Sequence, residues 1–309
     1  MRRLIAALLA GILLVPAASF ADQTSKQPVP QQMHVKRSLE LNKRIALRAL
    51  TGAFVDRDPR VVDQYFAPDY VQHNPTIRDG PAAIKELIAK LPKDFSYQPG
   101  MAVAEGDLVM VHGRLVGWGP KPMVVVDIFR VKGGKVTEHW DVLQQEVPAS
   151  ASTNGNPMFS LSEANRQPGK PAVPQPKPLE HSMETNKQIA LHALTGAFID
   201  RDASVVDKYF APDYVQHNPT IPNGPDAIKG LIPKLPKDFA YELGMAVAEG
   251  DLVMVHGRYV GWGPKPMVAV DIFRLKDGKV IEHWDVMQEE VPASASANGN
   301  PMFSSSEGK

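Results

Sequence analysis

The sequence predicts two α+β domains in tandem, each with three helices packed on a curved, mostly antiparallel sheet. Residues 41–159 align without gaps to residues 185–303, and 96 of these 119 positions are identical by direct count. Each copy begins with apolar residues at helical spacing and then changes to strands rich in Val, Ile and aromatic residues, a succession typical of α+β folds. A repeat of this length is a whole domain, because solenoid units have about 20 to 50 residues.

Three helices are expected at the start of copy 1. Residues 39–56 carry apolar side chains at helical spacing. A short helix begins at Asp58, with a proline in its first turn, and a third spans residues 82–90. A short extended piece, residues 70–73, lies between the second and third helices.

Four strands follow, at residues 97–105, 108–117, 123–132 and 135–146, separated by glycine-containing turns. A sheet wrapped around helices leaves a mouth suited to a small molecule. Side chains alternate between the faces of a strand. Each strand therefore places its polar residues on a definite face, although alternation alone does not say which face is inside.

Composition excludes several classes of function. Lys+Arg and Asp+Glu both number 34, so the formal net charge is zero and nothing favours nucleic acid or an anionic membrane. The absence of cysteine excludes disulfides, thiolate nucleophiles and cysteine-ligated metals. A small-molecule partner is the remaining expectation.

The N-terminus predicts export to the periplasm or secretion. Arg2 and Arg3 precede the apolar run Leu4 to Val15, which is too short to span a bilayer, and Ala21 ends a signal-peptidase-like site. After cleavage no membrane attachment is expected. The predicted organisation is a signal peptide at 1–21, a flexible leader at 22–38, domain 1 at 39–159, a proline-rich linker at 160–182, domain 2 at 183–303 and a tail at 304–309.

Several motifs resemble the SnoaL-like polyketide cyclases of the cone-shaped superfamily named after nuclear transport factor 2. They are Gln72-His73-Asn74-Pro75, Gly80, the run from Val126 to Arg130, Gly134-Lys135-Val136 and Glu138-His139-Trp140-Asp141. The resemblance covers nearly all of each copy and implies that superfamily's fold. The superfamily includes isomerases, dehydratases, cyclases, epoxide hydrolases and non-catalytic binders, so the fold leaves the reaction open.

The resemblance also implies site residues. His73 falls where ketosteroid isomerases carry an aspartate base, and Asp127 where they carry an acid that donates to the substrate oxygen. His112, Arg114 and Asp141 resemble positions of limonene epoxide hydrolases. The candidate catalytic residues are His73, Asp127, Asp141, His217, Asp271 and Asp285. The candidate substrate-binding residues are His112, Arg114, Trp118, Phe129, His139, His256, Arg258, Trp262, Phe273 and His283.

Each of these residues also has a structural interpretation. His73 is either a base with a pKa near neutral or a structural histidine bonded to the following turn. Asp127, a carboxyl in an apolar strand, is either a general acid or a partner in an ion pair with Arg114 or a histidine. His139 and Asp141 either form an Asp–His couple or join other histidines at a metal, but no compact metal motif is present, so no metal site is predicted.

The leading hypothesis is a cofactor-independent enzyme that removes a proton next to the carbonyl of a small molecule, in cyclase, aldol-type or isomerase chemistry. His73 or Asp141 would be the base, and Asp127 with Arg114 or His112 would stabilise the oxyanion. The alternative is a periplasmic binding module without turnover. The two copies are expected to pair within one chain through the outer sheet faces, with Trp140 and Trp284 buried between them.

Overall fold

The computed structural model describes residues 30–161, which form copy 1, and residues 180–305, which form copy 2. The predicted signal peptide, most of the linker and the end of the tail lie outside these ranges. Copy 1 consists of α1 (Pro30–Phe54), α2 (Arg60–Tyr65), β1 (Phe66–Gln72), α3 (Pro81–Lys90), β2 (Ser96–Glu105), β3 (Leu108–Val116), β4 (Met123–Lys132) and β5 (Lys135–Gln145). Copy 2 consists of α4 (Glu180–Phe198), α5 (Ser204–Tyr209), β6 (Phe210–Gln216), α6 (Pro225–Leu231), β7 (Ala240–Glu249), β8 (Leu252–Val260), β9 (Met267–Lys276) and β10 (Lys279–Glu289).

Each copy contains one five-stranded mixed sheet, which confirms the predicted α+β class. The strand order is β1-β5-β4-β3-β2 in copy 1 and β6-β10-β9-β8-β7 in copy 2. Strands β2 to β5 form an antiparallel meander, while β1 pairs in parallel with β5 at the edge. This pairing brings the end of β1 beside the middle of β5, with Gln72 opposite His139.

Helix α1 begins earlier than the sequence predicts. It starts at Pro30, so the described part of the expected flexible leader, residues 30–38, is helical. Met33 and Val35 of this added part are exposed. No helix in the described ranges is long and apolar enough to cross a membrane.

The two faces of each sheet bury different cores. On the inner face, β3 contributes Val109 and Val111 to a core shared with Ala46, Ala49 and Leu50 of α1. On the outer face, Met110 of the same strand belongs to a core that contains residues of both copies. Because both faces are covered, burial along these strands does not alternate with polarity.

The shared core packs the two sheets against each other, as predicted. It contains Val126, Ile128 and Trp140 of copy 1 with their counterparts in copy 2. Trp140 is 1% exposed and Trp284 is fully buried. The indole N–H of each tryptophan donates across the boundary, from Trp140 to the hydroxyl of Ser304 at 3.2 Å and from Trp284 to that of Ser160 at 3.2 Å.

Candidate active site

A cavity lies between helix α1 and the inner face of the copy 1 sheet. It measures ≈ 540 Å³, counted with its opening to solvent, and most of its wall is apolar. The polar side chains that line it are Tyr70, Gln72, Tyr97, Asp127, His139 and Asp141. A small-molecule site typically has an apolar wall with a few convergent polar groups.

The proton positions on His139 follow from its partners. The side-chain oxygen of Gln72 accepts the backbone N–H groups of His73 and Asn74, both at 2.9 Å, which identifies it as the amide oxygen. The same oxygen lies 3.0 Å from Nδ1 of His139, so Nδ1 carries a proton and donates it. Nε2 of His139 lies 3.1 Å from Oδ1 of Asp127, so a proton carried by one of these two atoms forms a hydrogen bond to the other.

Asp127 is held on its other side by a tyrosine. The hydroxyl of Tyr97 donates to Oδ2 of Asp127 at 2.7 Å, and burial, together with the charge of Asp127, raises the pKa of Tyr97 well above its usual value. Both carboxylate oxygens of Asp127 thus face hydrogen-bond donors. The predicted pairing of Asp127 with a histidine is confirmed, with His139 rather than Arg114 as the partner.

Asp141 lies directly across the sheet from Asp127, on the neighbouring strand. Burial raises the pKa of Asp141 to about 6, while the His139 charge and the amide of Asn74 act in the opposite direction. That amide nitrogen donates to both carboxylate oxygens, at 3.0 and 2.8 Å. A carboxylate with a pKa near neutrality both accepts and releases a proton readily.

Tyr70 offers a hydroxyl proton to the cavity. The amide nitrogen of Gln72 donates to the Tyr70 oxygen at 2.9 Å, so this oxygen is an acceptor in that bond. Among the residues that the structure describes, none accepts the Tyr70 proton. Burial, followed by the charges of Asp141 and Asp127, raises the pKa of Tyr70 well above 10, which keeps the phenol protonated.

Copy 2 repeats the site with two changes in its donors: a different tyrosine binds the first aspartate, and Asn218 donates to only one oxygen of Asp285. Its cavity of ≈ 490 Å³ is lined by Tyr214, Gln216, Asp271, His283 and Asp285, and burial again raises the pKa of Asp285 to about 6. Tyr259, where copy 1 has Leu115, donates to Oδ2 of Asp271 at 2.8 Å. The hydroxyl of Tyr241, the counterpart of Tyr97, is buried and has no partner among the described residues.

One group in each copy has the composition of a metal site. Single ligand atoms of Asp127, His139 and Asp141 lie within 4.8 Å of one another. These atoms are also engaged by hydrogen bonds from Tyr97, Asn74 and within the group itself. We assign no metal to this group.

His73 does not reach the cavity, so the expectation that it is the cavity base is wrong. Strand β1 ends at Gln72, and the chain then turns His73 toward the outer face, where its ring stacks on Trp140 at 4.4 Å. Its two nitrogens contact the backbone oxygen of Pro301 at 2.6 Å and Glu138 at 3.0 Å. His217 has the same place in copy 2, beside Pro157 and Glu282.

His112 and Arg114 also lie outside the cavity, contrary to the inward roles that the resemblance implies. Both share the outer face of β3 with Met110, and Arg114 pairs with Glu146 at 2.7 Å. His112 is fully buried there without a partner for either ring nitrogen among the described residues. Their counterparts His256 and Arg258 are placed in the same way.

The remaining predicted residues do line the cavities: Trp118, Phe129 and His139 in copy 1, and Trp262, Phe273 and His283 in copy 2. Trp118 reaches the inside because Gly117, with a φ of 80°, ends the alternation of β3 before it. The sequence reasoning missed Tyr70, Gln72, Asn74 and Tyr97. A signal for the first three was present in the cluster of amide and phenol side chains from Tyr70 to Asn74.

Several solved structures match a single copy of the chain. A comparison with curated proteins gives no significant match. TsrD from Streptomyces laurentii is 21% identical over 34% of this chain and 89% of its own, with a TM-score of 0.30. A Kribbella flavida protein classed with ketosteroid isomerases is 16% identical over 35% of this chain and 81% of its own, with a TM-score of 0.32. An epoxide hydrolase of the limonene epoxide hydrolase type from Mycobacterium tuberculosis is 16% identical over 35% of this chain and 85% of its own, with a TM-score of 0.30.

The sequence itself matches a family profile in both copies. The profile of the SnoaL-like domain covers residues 47–139 and again residues 191–283. These two matches account for more than half of the chain and include Asp127 and His139 with their counterparts. The chain therefore belongs to the SnoaL-like domain family, within the fold class of nuclear transport factor 2, and carries two of these domains in tandem.

Proposed function

We propose that the protein is an exported, cofactor-independent enzyme that removes a proton from the carbon next to a carbonyl group of a small, largely apolar molecule. The observation that supports this most is Asp141, a carboxylate on the cavity wall whose pKa burial raises to about 6. A general base works best when its pKa lies near the operating pH. The amide of the buried Asn74 orients this carboxylate.

The proton transfer uses groups on one wall of the cavity. Asp141 takes the proton, the C–H electrons move into the carbonyl group, and an enolate oxygen forms. The O–H of Tyr70, which no described residue accepts, donates to the enolate oxygen. The phenol oxygen of Tyr70 itself accepts the amide N–H of Gln72, which holds the phenol in place. Return of the proton from Asp141 to another carbon gives an isomer, whereas attack of the enolate carbon on a second carbonyl closes a ring.

The Asp127–His139 pair supplies a second proton position. One proton is shared between Nε2 of His139 and Oδ1 of Asp127, and the nearest atoms of this pair lie within 4.8 Å of Asp141. The pair can therefore protonate the enolate oxygen or accept a proton during the return step. Two titratable carboxyls in different environments on one wall are a common arrangement for acid and base roles.

The runner-up is a periplasmic binding module without turnover. The apolar wall and the zero net charge suit either function. A protein that only binds its ligand does not need a proton acceptor such as Asp141, with a raised pKa, beside a hydroxyl donor such as Tyr70. A buried carboxyl of this kind lowers stability, so its presence indicates a function. The convergence of Asp141, Tyr70 and the Asp127–His139 pair therefore favours catalysis.

The reaction class can be tested without the natural substrate. The chain is incubated in D₂O with 2-tetralone and with a β,γ-unsaturated steroid ketone, and loss of the α-proton signal is followed by ¹H NMR. We expect exchange faster than in buffer alone. The double variant D141N/D285N should reduce the protein-dependent rate by about 100-fold or more, the usual effect of losing a general base.

The Asp69→Asn change is the matched control and should leave the rate unaltered, because the Asp69 side chain is exposed to solvent and does not line the cavity. Two results would contradict the proposal: exchange of both ketones at the buffer rate, or full protein-dependent exchange in D141N/D285N. The first result would favour the binding module.

A further inference from the structure

Each cavity is bordered by a loop that the other copy holds in place. The site loops are residues 72–79 in copy 1 and residues 216–223 in copy 2, which follow the first strand of each sheet. The tail segments are residues 149–161 and 293–305, which follow the last strand. The tail segment of copy 2 lies on the site loop of copy 1, and the converse also holds.

Three donors of the copy 2 tail bind the copy 1 site loop. The backbone N–H of Ala297 donates to the oxygen of Pro75 at 2.7 Å. The side-chain amide of Asn298 donates to the backbone oxygens of Asn74 at 2.7 Å and Ile77 at 2.9 Å. The amide of Asn300 donates to the oxygen of Gln72 at 2.9 Å and to the carboxylate of Asp79 at 3.0 Å.

The reciprocal contacts repeat this pattern. Thr153 N–H donates to the oxygen of Pro219 at 2.8 Å. The amide of Asn154 donates to the oxygens of Asn218 and Ile221, at 2.6 and 2.9 Å. The amide of Asn156 donates to the oxygen of Gln216 at 2.8 Å. The same contacts therefore form twice, although the residues that follow the two tail segments differ in sequence.

Each of these contacts is connected to an acid or base group of the cavity through a single intervening residue. Asn298 fixes the backbone of Asn74, whose side chain donates to Asp141. Asn300 fixes the backbone of Gln72, whose side-chain oxygen accepts the Nδ1 proton of His139. Loss of either tail contact would free a residue that orients a cavity group.

Interactions within the tail segment of copy 2 hold its two asparagines in a defined turn. The side-chain oxygen of Asn298 accepts the backbone N–H of Asn300 at 2.8 Å, which closes a turn. Gly299 within that turn has a φ of 76°, a conformation that favours glycine. The turn presents the two asparagine amides to the loop side by side.

We propose that Asn298 and Asn300 are positioning residues for the copy 1 cavity, and that Asn154 and Asn156 are positioning residues for the copy 2 cavity, so that each domain completes the site of the other. The proposal rests on the proposed function for the roles of Asp141 and His139. Its test measures loop order and carboxyl titration, so its failure is distinguishable from failure of the catalytic proposal.

The test uses Asn298→Asp in the full chain. This change keeps the shape and the acceptor of the turn but replaces the amide N–H donors with an oxygen that faces two carbonyl groups. Hydrogen–deuterium exchange with mass spectrometry should show residues 70–79 exchanging about tenfold faster, with residues 214–223 unaltered. The two segments differ at Arg78/Pro222 and Asp79/Asn223, so their peptides separate by mass.

Carboxyl titration adds a measurement that a merely structural role would not alter. In protein labelled with ¹³C at the aspartate carboxyls, the Asp141 signal should titrate at higher pH, because the Asn74 hydrogen bond that lowers its pKa is weakened. Asn74→Ala provides the reference direction. Asn154→Asp should give the mirror result, with changes at residues 214–223 and at Asp285 alone.

Three outcomes would overturn the proposal. One is a change in the same copy as the substitution, another is equal change in both copies, and the third is no change in loop exchange. If Asn298→Asp does not fold, Asn300→Ala gives a second route to the same loop through Gln72. Faster exchange of residues 70–79 alone would support the proposal there, and any other pattern would contradict it.

Discussion

Tyr259 donates its phenol proton to Asp271 at 2.8 Å, a contact for which copy 1 has no equivalent because Leu115 occupies that position. In copy 1 the donor is instead Tyr97 of β2, which reaches Asp127 of β4 past the intervening strand β3 at 2.7 Å. The two cavities therefore hold the same carboxylate with different tyrosines. Two further differences on the cavity walls, Val125/Ala269 and Leu143/Met287, accompany this exchange.

The first prediction is that these positions set a different ligand preference in each cavity. In a D285N background, where only the copy 1 cavity carries its base, L115Y/V125A should move the relative KM values for 2-tetralone and the steroid ketone toward those of the copy 2 cavity. We expect a change of about tenfold, since reshaping an apolar wall by a few methyl groups has an effect of this order. The measurement is the ketone exchange rate as a function of concentration.

The copy 2 cavity, isolated in a D141N background, is the reference for that comparison. T137I, which introduces the copy 2 residue outside the cavity lining, is the control. An unchanged KM ratio in L115Y/V125A would show that the wall residues do not select the ligand.

The second prediction is that the buried carboxylate of Asp141 lowers the free energy of unfolding at neutral pH. Its pKa is about 6 in the folded protein and 3.8 in a model peptide, so between these pH values the folded state binds more protons than the unfolded state. The free energy of unfolding therefore falls as the pH rises through this window, by roughly 3 kcal/mol for this group. Asp141→Asn removes that loss and leaves an acceptor for Asn74.

Urea unfolding at pH 4 and pH 7 measures this effect. The variant should gain stability over the wild-type protein as the pH increases, while the exposed Asp69→Asn control should show no such trend. A variant that is equally destabilised at both values would indicate that Asp141 is needed for packing rather than kept for function.

The third prediction concerns the interface histidines His112 and His256, whose burial lowers stability as the pH decreases rather than as it increases. Burial lowers the pKa of His112 and of His256 to about 3, with a further decrease from His217 and His73, respectively. The unfolded chain therefore takes up protons first as the pH falls below 6.5. Each histidine should remove roughly 2 kcal/mol of stability between pH 6.5 and pH 5.

The double variant H112L/H256L should abolish this acid loss, because the leucines fill the same apolar interface without unpartnered nitrogens. The exposed His192→Gln change is the control. The measurement is urea unfolding at pH 7.5 and pH 5. An equal acid loss in the wild-type protein and in H112L/H256L would show that other groups cause it.

The sequence predicted the fold well because repeat and periodicity are local properties. Alternation along the last strand correctly placed His139 and Asp141 on one face, and the register of the paired strands then sets Asp127 beside Asp141. The sequence reasoning assigned His112 to the wrong face because both faces are buried, one by helices and one by the second copy. The trans contact of Asn298 with Asn74 joins residues 224 positions apart, and no local pattern indicates such a pairing.

The last prediction is that the two copies form one compact unit within a single chain in solution. Trp140 stacks on His73 at 4.4 Å, lies 5.5 Å from the guanidinium of Arg130 and donates to Ser304 of the other copy. A lysine at this position would place a charge in an apolar interface, which is unfavourable without a close partner. W140K/W284K should therefore separate the domains, with a larger radius of gyration by small-angle scattering and retained far-ultraviolet circular dichroism. Light scattering should give the mass of one chain for the wild-type protein at every dilution, and the exposed Val55→Lys change should behave like wild type. A wild-type mass of two chains, or a W140K/W284K variant as compact as wild type, would contradict pairing within the chain, because the interface would then form between chains or would not depend on these tryptophans.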